Sequence, residues 1–264
     1  MPSQVRPLLA IVPVSVTAEE QLEPLARCLV SLYGSAPAGL PIVVAAGADS
    51  DDDLLAQVAS AVEELDGEVI RSPGAVTPAI NAGLAGARDA GADALLIAQD
   101  VEFTAPGWLA RLQARPDTAG RPAAVVGGRL LFRNGLIAHA GLYFSVFFRE
   151  WLPRYLHAPA QLPAALTPRA CPVGPGLQLI RQETLEQVGL YDPALTGEYA
   201  TVDYCLRTFA TGLECVYEPA AIATRLTAPS FDGPASDEDL ARSYLRLREK
   251  HGAMDFTPWI PELL

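Results

Sequence analysis

The sequence predicts a single mixed α/β domain of three layers, α/β/α, with a mostly parallel sheet and an antiparallel edge. Strand and helix patterns alternate three times between residues 8 and 90, as in sheets whose parallel strands are joined by helical crossovers. A fourth apolar run at residues 95–98 has the length of a buried central strand. Half of the 264 residues are hydrophobic, which is enough for one large core.

The composition argues against several classes of protein. A net charge of −12 disfavours a nucleic-acid-binding protein, which normally carries a basic face. No apolar stretch approaches the roughly 20 residues of a membrane helix, and the run at 8–16 lacks the cleavage site of a signal peptide. We therefore expect no transmembrane segment and a cytoplasmic location. The four cysteines show no paired spacing and are expected to be buried, reduced thiols.

The first half of the chain contains three helix signals and four strand signals. N-caps are predicted at Thr17, Ser50 and Thr77 from their spacing to the apolar positions that follow. The third helix is rich in small residues, including Gly83, so we expect it to lie close against a sheet or a ligand. The predicted strands are 8–14, 42–46, 68–71 and 95–98, and the helices run from 22 to 33, 54 to 65 and 78 to about 90.

After Pro106 the pattern changes to shorter elements. Asn134-Gly135 between two apolar runs indicates a hairpin. Residues 145–169 are rich in aromatic residues and proline and predict a long loop or lid. The remaining predicted strands are 123–126, 129–132, 137–144, 176–180 and 213–217, and the remaining helices are 108–112, 183–188, about 202–211 and about 237–250.

The acidic residues behind the fourth strand are the main candidates for chemistry. Asp100 and Glu102 follow the apolar run at the edge of the sheet where α/β proteins bind ligands. Two carboxylates at such a turn can hold a hard divalent cation whose other positions are filled by phosphate oxygens. The alternative is that they are two solvated acids at the end of a strand.

Other common sites are missing from the sequence. No glycine-rich turn follows strand one, and the chain contains neither a P-loop nor a nucleophile elbow. The three histidines, His139, His157 and His251, are far apart in sequence and are expected to be structural or exposed.

Several short motifs together resemble the inverting glycosyltransferases of family 2, which have the GT-A fold. The resemblance covers roughly residues 8 to 225, and it is the order and spacing of the motifs that make it specific. The motifs are Ile-Val-Pro-Val at 11–14, Asn-Ala-Gly at 81–83, Asp-Val-Glu at 100–102, the segment from Gly174 to Arg181, Val-Gly-Leu-Tyr-Asp at 188–192, and Asp203 with Arg207.

The resemblance implies a transfer of sugar from a nucleotide-diphosphate donor to an acceptor hydroxyl that is not identified. It implies a nucleotide-binding half at about 1–105 and an acceptor half at about 106–264. Mn²⁺ or Mg²⁺ would be held by Asp100 with or without Glu102, and homo-oligomers are possible. Acceptor contacts are expected from Trp151 and Gly174. Donor contacts are expected from Pro13, Asp49, Asn81, Gln99 and Asp100.

The sequence departs from the family at three positions of chemistry. Alanines 45 and 46 stand where an acidic residue usually contacts the base, and Asp49 is the nearest carboxylate. Thr201 occupies the usual position of the catalytic base, so Glu198 is the first choice for that role and Asp203 the second. Asp203 could equally be a carboxylate favoured by the dipole of its helix. A late histidine that often completes the metal site is replaced near Arg225.

These departures leave an alternative from a different class of function. The chain could be a glycosyltransferase-like subunit that has lost catalysis and serves in binding or scaffolding. A sugar nucleotidyltransferase is a weaker alternative, because residues 15–19 do not supply the glycine- and arginine-rich loop that such an enzyme needs.

Overall fold

The computed structural model describes residues 6–74, 76–114, 117–118, 121–227 and 236–261. These residues form thirteen strands and seven α-helices. The strands are β1 Leu8–Val14, β2 Ile42–Ala46, β3 Glu68–Arg71, β4 Asp93–Ile97, β5 Val101–Glu102, β6 Asp117–Thr118, β7 Arg121–Phe132, β8 Ile137–His139, β9 Leu142–Ser145, β10 Glu150–Pro153, β11 Arg169–Ala170, β12 Leu177–Ile180 and β13 Glu214–Arg225. The helices are α1 Leu22–Ser35, α2 Asp52–Glu63, α3 Val76–Asp89, α4 Trp108–Gln113, α5 Gln182–Gln187, α6 Gly197–Ala210 and α7 Asp237–His251.

The first half of the chain forms a parallel sheet in the order β4-β1-β2-β3. Strands β1, β2 and β4 are apolar along almost their whole length because both of their faces are covered. The chain crosses from strand to strand through α1, α2 and α3, as the alternating pattern predicts.

The second half extends the sheet through antiparallel and parallel pairs. β12 lies between β4 and β7 and is antiparallel to both, so the antiparallel strand is inside the sheet as well as at its edge. β7 is one continuous strand where the sequence predicts two, and β13 pairs parallel to it. β13 is longer than predicted and carries an irregularity between Glu218 and Ile222, after which its last residues reach β5.

Two hydrophobic cores cover the two faces of the sheet and give three layers. One core lies between the sheet and α1, α2 and α4, and the other lies between the sheet and α3, α5 and α6. Gly83 of α3 lies directly on β1, since a Cβ atom there would be 2.7 Å from Cγ2 of Ile11. The three-layer α/β class and the close packing of α3 on the sheet are therefore confirmed.

The predicted helix caps are wrong in detail. Gln21 accepts from the backbone N–H groups of Thr17 and Ala18, so the side chain of Thr17 is not the cap. Asp51, not Ser50, caps α2, and Ser50 accepts from the N–H of Val16 instead. In each case a neighbouring polar side chain reaches the free N–H groups better than the residue chosen by spacing. The α3 cap position falls on residue 75, outside the described residues. Thr77 lies inside α3 and donates to the carbonyl of Leu195.

The prediction of a long loop at 145–169 is also wrong. β10 pairs with β9 in an antiparallel hairpin, and a 3₁₀ helix at Pro163–Leu166 and β11 follow. Backbone hydrogen bonds from Arg154 to Gly141 and from His157 to Ile137 hold the segment against the sheet. The tip of the hairpin, residues 146–149, is exposed.

The described residues bear on two further expectations. All four cysteines are free and buried, as expected from their apolar surroundings. Among the described helices, none has the length and the apolar character required to cross a lipid bilayer.

Candidate active site

β1 and β4 stop pairing before β1 ends, and we call the gap between their carboxyl ends the crevice. The pairing of β1 with β4 ends at Ile11 and Leu96, whereas the pairing of β1 with β2 continues to Val14 and Ala46. From β1 the chain first adds β2 and β3 on one side of the sheet and then adds β4 on the other side. The strand order therefore reverses between β1 and β4, and such a switch point is where α/β sheets bind ligands.

Three of the predicted donor residues lie along this crevice. Asp49 follows β2 and accepts a hydrogen bond at 2.5 Å from the hydroxyl of Ser15, which follows β1. Pro13 lies beyond the last residue of β1 that pairs with β4 and is half-buried. Oε1 of Gln99 is buried and has no hydrogen-bond partner among the described residues, so it remains an available acceptor.

Asp100 is the carboxylate at the centre of the site. It is 6% exposed and accepts from Nε of Arg225 at 3.0 Å and from the hydroxyl of Thr227. The pairing of β5 with the end of β13, and a backbone bond from Leu226 to the carbonyl of Asp100, bring these residues together. Asp100 is therefore a buried carboxylate whose charge is neutralised by an arginine.

Glu102 has a separate partner. Arg27 of α1 donates three hydrogen bonds to its carboxylate. Nη2 of Arg27 donates to Oε1 at 2.8 Å and to Oε2 at 2.9 Å, and Nε donates to Oε1 at 3.1 Å. Both predicted metal ligands are thus paired with arginines. Among the described residues, no group of three or more His, Cys, Asp or Glu side chains is placed to hold a metal ion. The donor set therefore fits a divalent metal poorly, since such ions take several oxygen ligands.

Glu198 lies in the first turn of α6, which starts at Gly197 rather than near Val202 as predicted. Burial and then the charge of Glu150 raise the pKa of Glu198, the charge of Arg225 lowers it, and the net result is a pKa of about 7. A carboxyl group with this pKa can take up a proton near neutral pH. Arg225 is thus close enough to act electrostatically on Glu198 while it is bonded to Asp100.

Glu150 and Tyr199 complete the acidic side of the site. Tyr199 donates to Oε2 of Glu150 at 3.0 Å, and the N–H of Trp151 donates to Oε1 at 2.8 Å. Burial also raises the pKa of Glu150. Two carboxyl groups with raised pKa values therefore lie within electrostatic range of each other, one on β10 and one on α6, and the charge of Arg225 acts on that of Glu198.

His139 and Gly174 form the floor of the same region. Burial, and then the charge of Arg225, lower the pKa of His139 to about 4, so the ring is neutral and accepts from the N–H of Gly174 at 3.1 Å. Gly174 is buried, and a Cβ atom there would be 2.5 Å from Nε2 of His139. Glycine at position 174 therefore allows the backbone to lie close to the ring of His139, and it does not form a surface for the acceptor substrate.

Asp203 does not belong to this site. It is fully buried and accepts from Arg207 at 2.8 Å, from Lys250 at 2.6 Å and from His251 at 2.9 Å. These partners join α6 to α7, and their hydrogen bonds lower the pKa of Asp203 to about 2 despite its burial. A carboxylate held by two cations and a histidine is a poor proton acceptor, so the second choice for the catalytic base is corrected to a structural role.

Thr201, at the position where the family has its base, is 1% exposed and buried in α6. The usual position of the base therefore has no access to an acceptor in this chain.

Two further predicted contacts are structural. Asn81 exchanges two hydrogen bonds of 2.9 Å with the backbone of Tyr191, which fixes the loop before α6 and leaves the amide fully used. Trp151 is 5% exposed and packs against Phe256 at 5.3 Å and Trp259 at 5.7 Å between ring centroids. The indole is part of the second core, so it cannot stack on a sugar.

Sequence reasoning missed three residues of the site: Arg225, Glu150 and Tyr199. Arg225 appears in the sequence only as the residue near a lost histidine. Arg225 and Thr227 are two positions apart, so on an extended segment their side chains lie on the same face. This spacing was the available signal that both could contact the same residue. Glu150 carried no signal because the segment around it was interpreted as a loop.

Comparison with known proteins places the chain by its fold. No family model matches it. The uncharacterized protein y4gI of Sinorhizobium fredii (strain NBRC 101917 / NGR234) is 29% identical over 131 residues, which are 48% of this chain and 14% of that protein. This chain thus spans well under two thirds of the length of that relative.

Solved structures cover nearly the whole chain. GalNAc-T7 with UDP, GalNAc and Mn²⁺ has a TM-score of 0.64 at 16% identity over 94% of this chain and 48% of its own. The mannosyltransferase PcManGT of Pyrobaculum calidifontis with GDP-Man and Mn²⁺ has a TM-score of 0.56 at 13% identity over 97% of this chain and 78% of its own. A protein described as mycobacterial has a TM-score of 0.57 at 14% identity over 98% of this chain and 76% of its own.

The fold is that of the GT-A-like glycosyltransferases, as the motifs of the sequence imply. Two of these neighbours are Mn²⁺ complexes, which agrees with the divalent cofactor expected from the resemblance. At 13–16% identity the likeness establishes the fold, and the activity of this chain has to be argued from its own residues.

Proposed function

We propose that this chain transfers a sugar from a nucleotide-diphosphate donor to an acceptor hydroxyl with inversion. The nucleotide-binding half at about 1–105 supplies the crevice between β1 and β4, and the acceptor half at about 106–264 supplies Glu198 and Glu150. The fold neighbours support the general reaction, because two of them are described as complexes with UDP or GDP-mannose. Inversion is supported by a single carboxyl group, Glu198, that is suited to act as a base.

The donor is proposed to lie with its nucleotide over Asp49 and Pro13 and its diphosphate beside Asp100. Asp49 is exposed at the end of β2 and is already oriented by Ser15. A carboxylate in this place can accept hydrogen bonds from a base or a ribose. Gln99 lies next to Asp100 with an unpartnered acceptor oxygen, which fits a donor hydroxyl.

The transfer follows from the protonation state of Glu198. Its carboxylate takes the proton of the acceptor hydroxyl, the acceptor oxygen bonds to the anomeric carbon, and the bond from that carbon to the diphosphate breaks. The electron pair leaves with the nucleoside diphosphate. A base with a pKa of about 7 is half ionised at neutral pH, close to the optimum for general-base catalysis.

The observation that carries this proposal is the electrostatic effect of Arg225 on Glu198, because Arg225 is itself hydrogen-bonded to Asp100. It links a proton acceptor on α6 to the residues that follow β4. Glu198 is in a helical first turn and not in a loop, so its position is fixed by α6.

The proposal is tested by calorimetry with UDP, GDP and dTDP, followed by assays of sugar release from the matching donors with a panel of acceptors. We expect one nucleotide to bind and its sugar donors to be turned over. If no nucleotide binds in the presence or absence of Mn²⁺, the proposed function is wrong.

A second function, that of a binding subunit without catalysis, is favoured by the burial of Thr201 and the engagement of Asp203. A chain that binds nucleotide but neither transfers nor hydrolyses any donor would establish this function. We also propose a cytoplasmic location, which is supported by the four buried free thiols.

A further inference from the structure

Arg225 uses one of its three nitrogens and leaves two available. Nε donates to Asp100 at 3.0 Å, and neither terminal nitrogen has a hydrogen bond to the described residues. The side chain is 27% exposed, so its free edge can be reached from the crevice. The edge formed by the two terminal nitrogens is the part of a guanidinium that binds phosphate in bidentate fashion.

The surroundings of Arg225 make a cation necessary if a diphosphate is to bind. Asp100, Glu198 and Glu150 are all carboxyl groups of this region, and the whole chain has a net charge of −12. The charge of Arg225 acts on both Glu198 and His139 and lowers the pKa of each, which places the guanidinium between the end of β4, β8 and α6. A diphosphate brought to Asp100 without a neighbouring cation would be repelled.

A divalent metal at Oδ2 of Asp100 or at the carboxylate of Glu102 would have to displace existing partners. Oδ2 of Asp100 accepts from both Arg225 and Thr227, and Glu102 is directed to Arg27. The place at the end of β13 where the family often has a metal-binding histidine is held by an arginine, which cannot ligate a metal while it is protonated.

We propose that Arg225 is the cation that receives the donor diphosphate, that Asp100 is a positioning residue for it, and that nucleotide binding needs no divalent metal. This inference rests on the proposed function and deepens it. When the bond between the anomeric carbon and the diphosphate oxygen breaks, the negative charge on the leaving diphosphate develops against the fixed guanidinium. Arg225 thus supplies the positive charge that a divalent metal would otherwise supply to the diphosphate.

The first arm of the test is calorimetry with UDP, GDP and dTDP in EDTA and in Mn²⁺. We expect the same affinity in both conditions. Arg225→Gln should weaken binding by about tenfold to hundredfold, as for the loss of hydrogen bonds to a charged group, and Arg225→Lys should weaken it less. Arg88→Gln is the matched control, because Arg88 is an exposed arginine of α3 that pairs with its neighbour Asp89. It should bind nucleotide as the wild type does.

The second arm is Asp100→Asn, which preserves the shape of the side chain and separates the two mechanisms. If Asp100 positions Arg225, the affinity of the variant for nucleotide is the same in EDTA and in Mn²⁺, and it falls by less than in Arg225→Gln, since the guanidinium is retained but is held less firmly. If Asp100 binds a metal, the variant loses nucleotide in Mn²⁺. Circular dichroism melts confirm that each variant is folded.

The outcomes distinguish this inference from the proposed function. Binding that requires Mn²⁺ and is lost in Asp100→Asn overturns the role of Arg225 and leaves the proposed transferase intact. Equal binding by Arg225→Gln and the wild type also overturns it. Binding of no nucleotide in any condition overturns both.

Discussion

Tyr199 donates its phenol hydrogen to Oε2 of Glu150 at 3.0 Å and so holds a second carboxyl group beside Glu198. The hydrogen bond joins the first turn of α6 to the β9–β10 hairpin, two segments that the sequence places about 50 residues apart. Burial of Glu198 and then the charge of Glu150 raise the pKa of Glu198 to about 7, against the opposing charge of Arg225. The hairpin therefore contributes to the acid–base properties of the site.

Glu198→Gln should lower the rate of sugar transfer by about 10²–10⁴ and leave donor affinity unchanged, because it removes the proton acceptor and little else. The measurement is turnover against calorimetric binding of the donor. Glu238→Gln, an exposed glutamate of α7, is the matched control and should have full activity. Full activity in Glu198→Gln would contradict the assignment of the base.

Glu150→Gln should lower the pKa of Glu198, because it removes a negative charge that stabilises the protonated form. The rate of transfer needs ionised Glu198, so it should rise with pH through about 7 in the wild type and at lower pH in the variant. An NMR titration of the carboxyl carbon of Glu198 measures the shift without any substrate. Arg225→Gln is the opposite control and should raise this pKa. An unchanged pKa in Glu150→Gln would show that the two groups do not interact.

The fold was predictable from the sequence because its signals are local. Burial on both faces makes the residues of β1, β2 and β4 apolar in continuous runs. Burial on one face makes the apolar residues of α1 and α2 recur at helical intervals. Both patterns are visible among neighbouring residues in the sequence. The failures also have local causes. β7 appeared as two strands because Gly127 and Gly128 interrupt its apolar pattern, and these glycines admit Val173 and Leu177 from across the sheet.

The candidate site was less predictable because it depends on contacts between distant residues. Arg225 bonds Asp100 across 125 positions of sequence, and no pattern of residues near either one predicts this ion pair. Glu198 lies in the first turn of α6 and Asp203 one to two turns later, and the difference in their roles comes from Lys250 and His251 of α7, which bond Asp203. Trp151 was assigned to the acceptor because an aromatic residue in an expected loop is exposed, and the hairpin that buries it is formed by pairing with β9.

Asp203→Asn should lower the free energy of unfolding by about 3 kcal/mol at neutral pH, because it takes a fully buried carboxylate away from the partly buried cations Arg207 and Lys250. The pKa of Asp203 falls from its ordinary 3.8 to about 2 on folding. The stabilisation is therefore complete above pH 4 and is lost as the pH falls through about 2. Urea unfolding at several pH values measures it, with Glu238→Gln as a control that should leave stability unchanged. Equal stability of Asp203→Asn and the wild type would contradict the structural role.

Trp151→Ala should lower the free energy of unfolding by about 3–5 kcal/mol, the usual cost of removing a large aromatic side chain from a core. The reason is that Trp151 is 5% exposed and touches the rings of Phe144, Phe256 and Trp259, so its loss leaves a cavity in the second core. Phe147 lies in the same hairpin and is 85% exposed, which makes Phe147→Ala the matched control with no expected loss of stability. Denaturant unfolding of both variants checks the contrast. If Trp151→Ala is as stable as Phe147→Ala and instead weakens the binding of an acceptor, Trp151 is a ligand contact, and the aromatic core that joins the hairpin to the end of the chain is assigned wrongly.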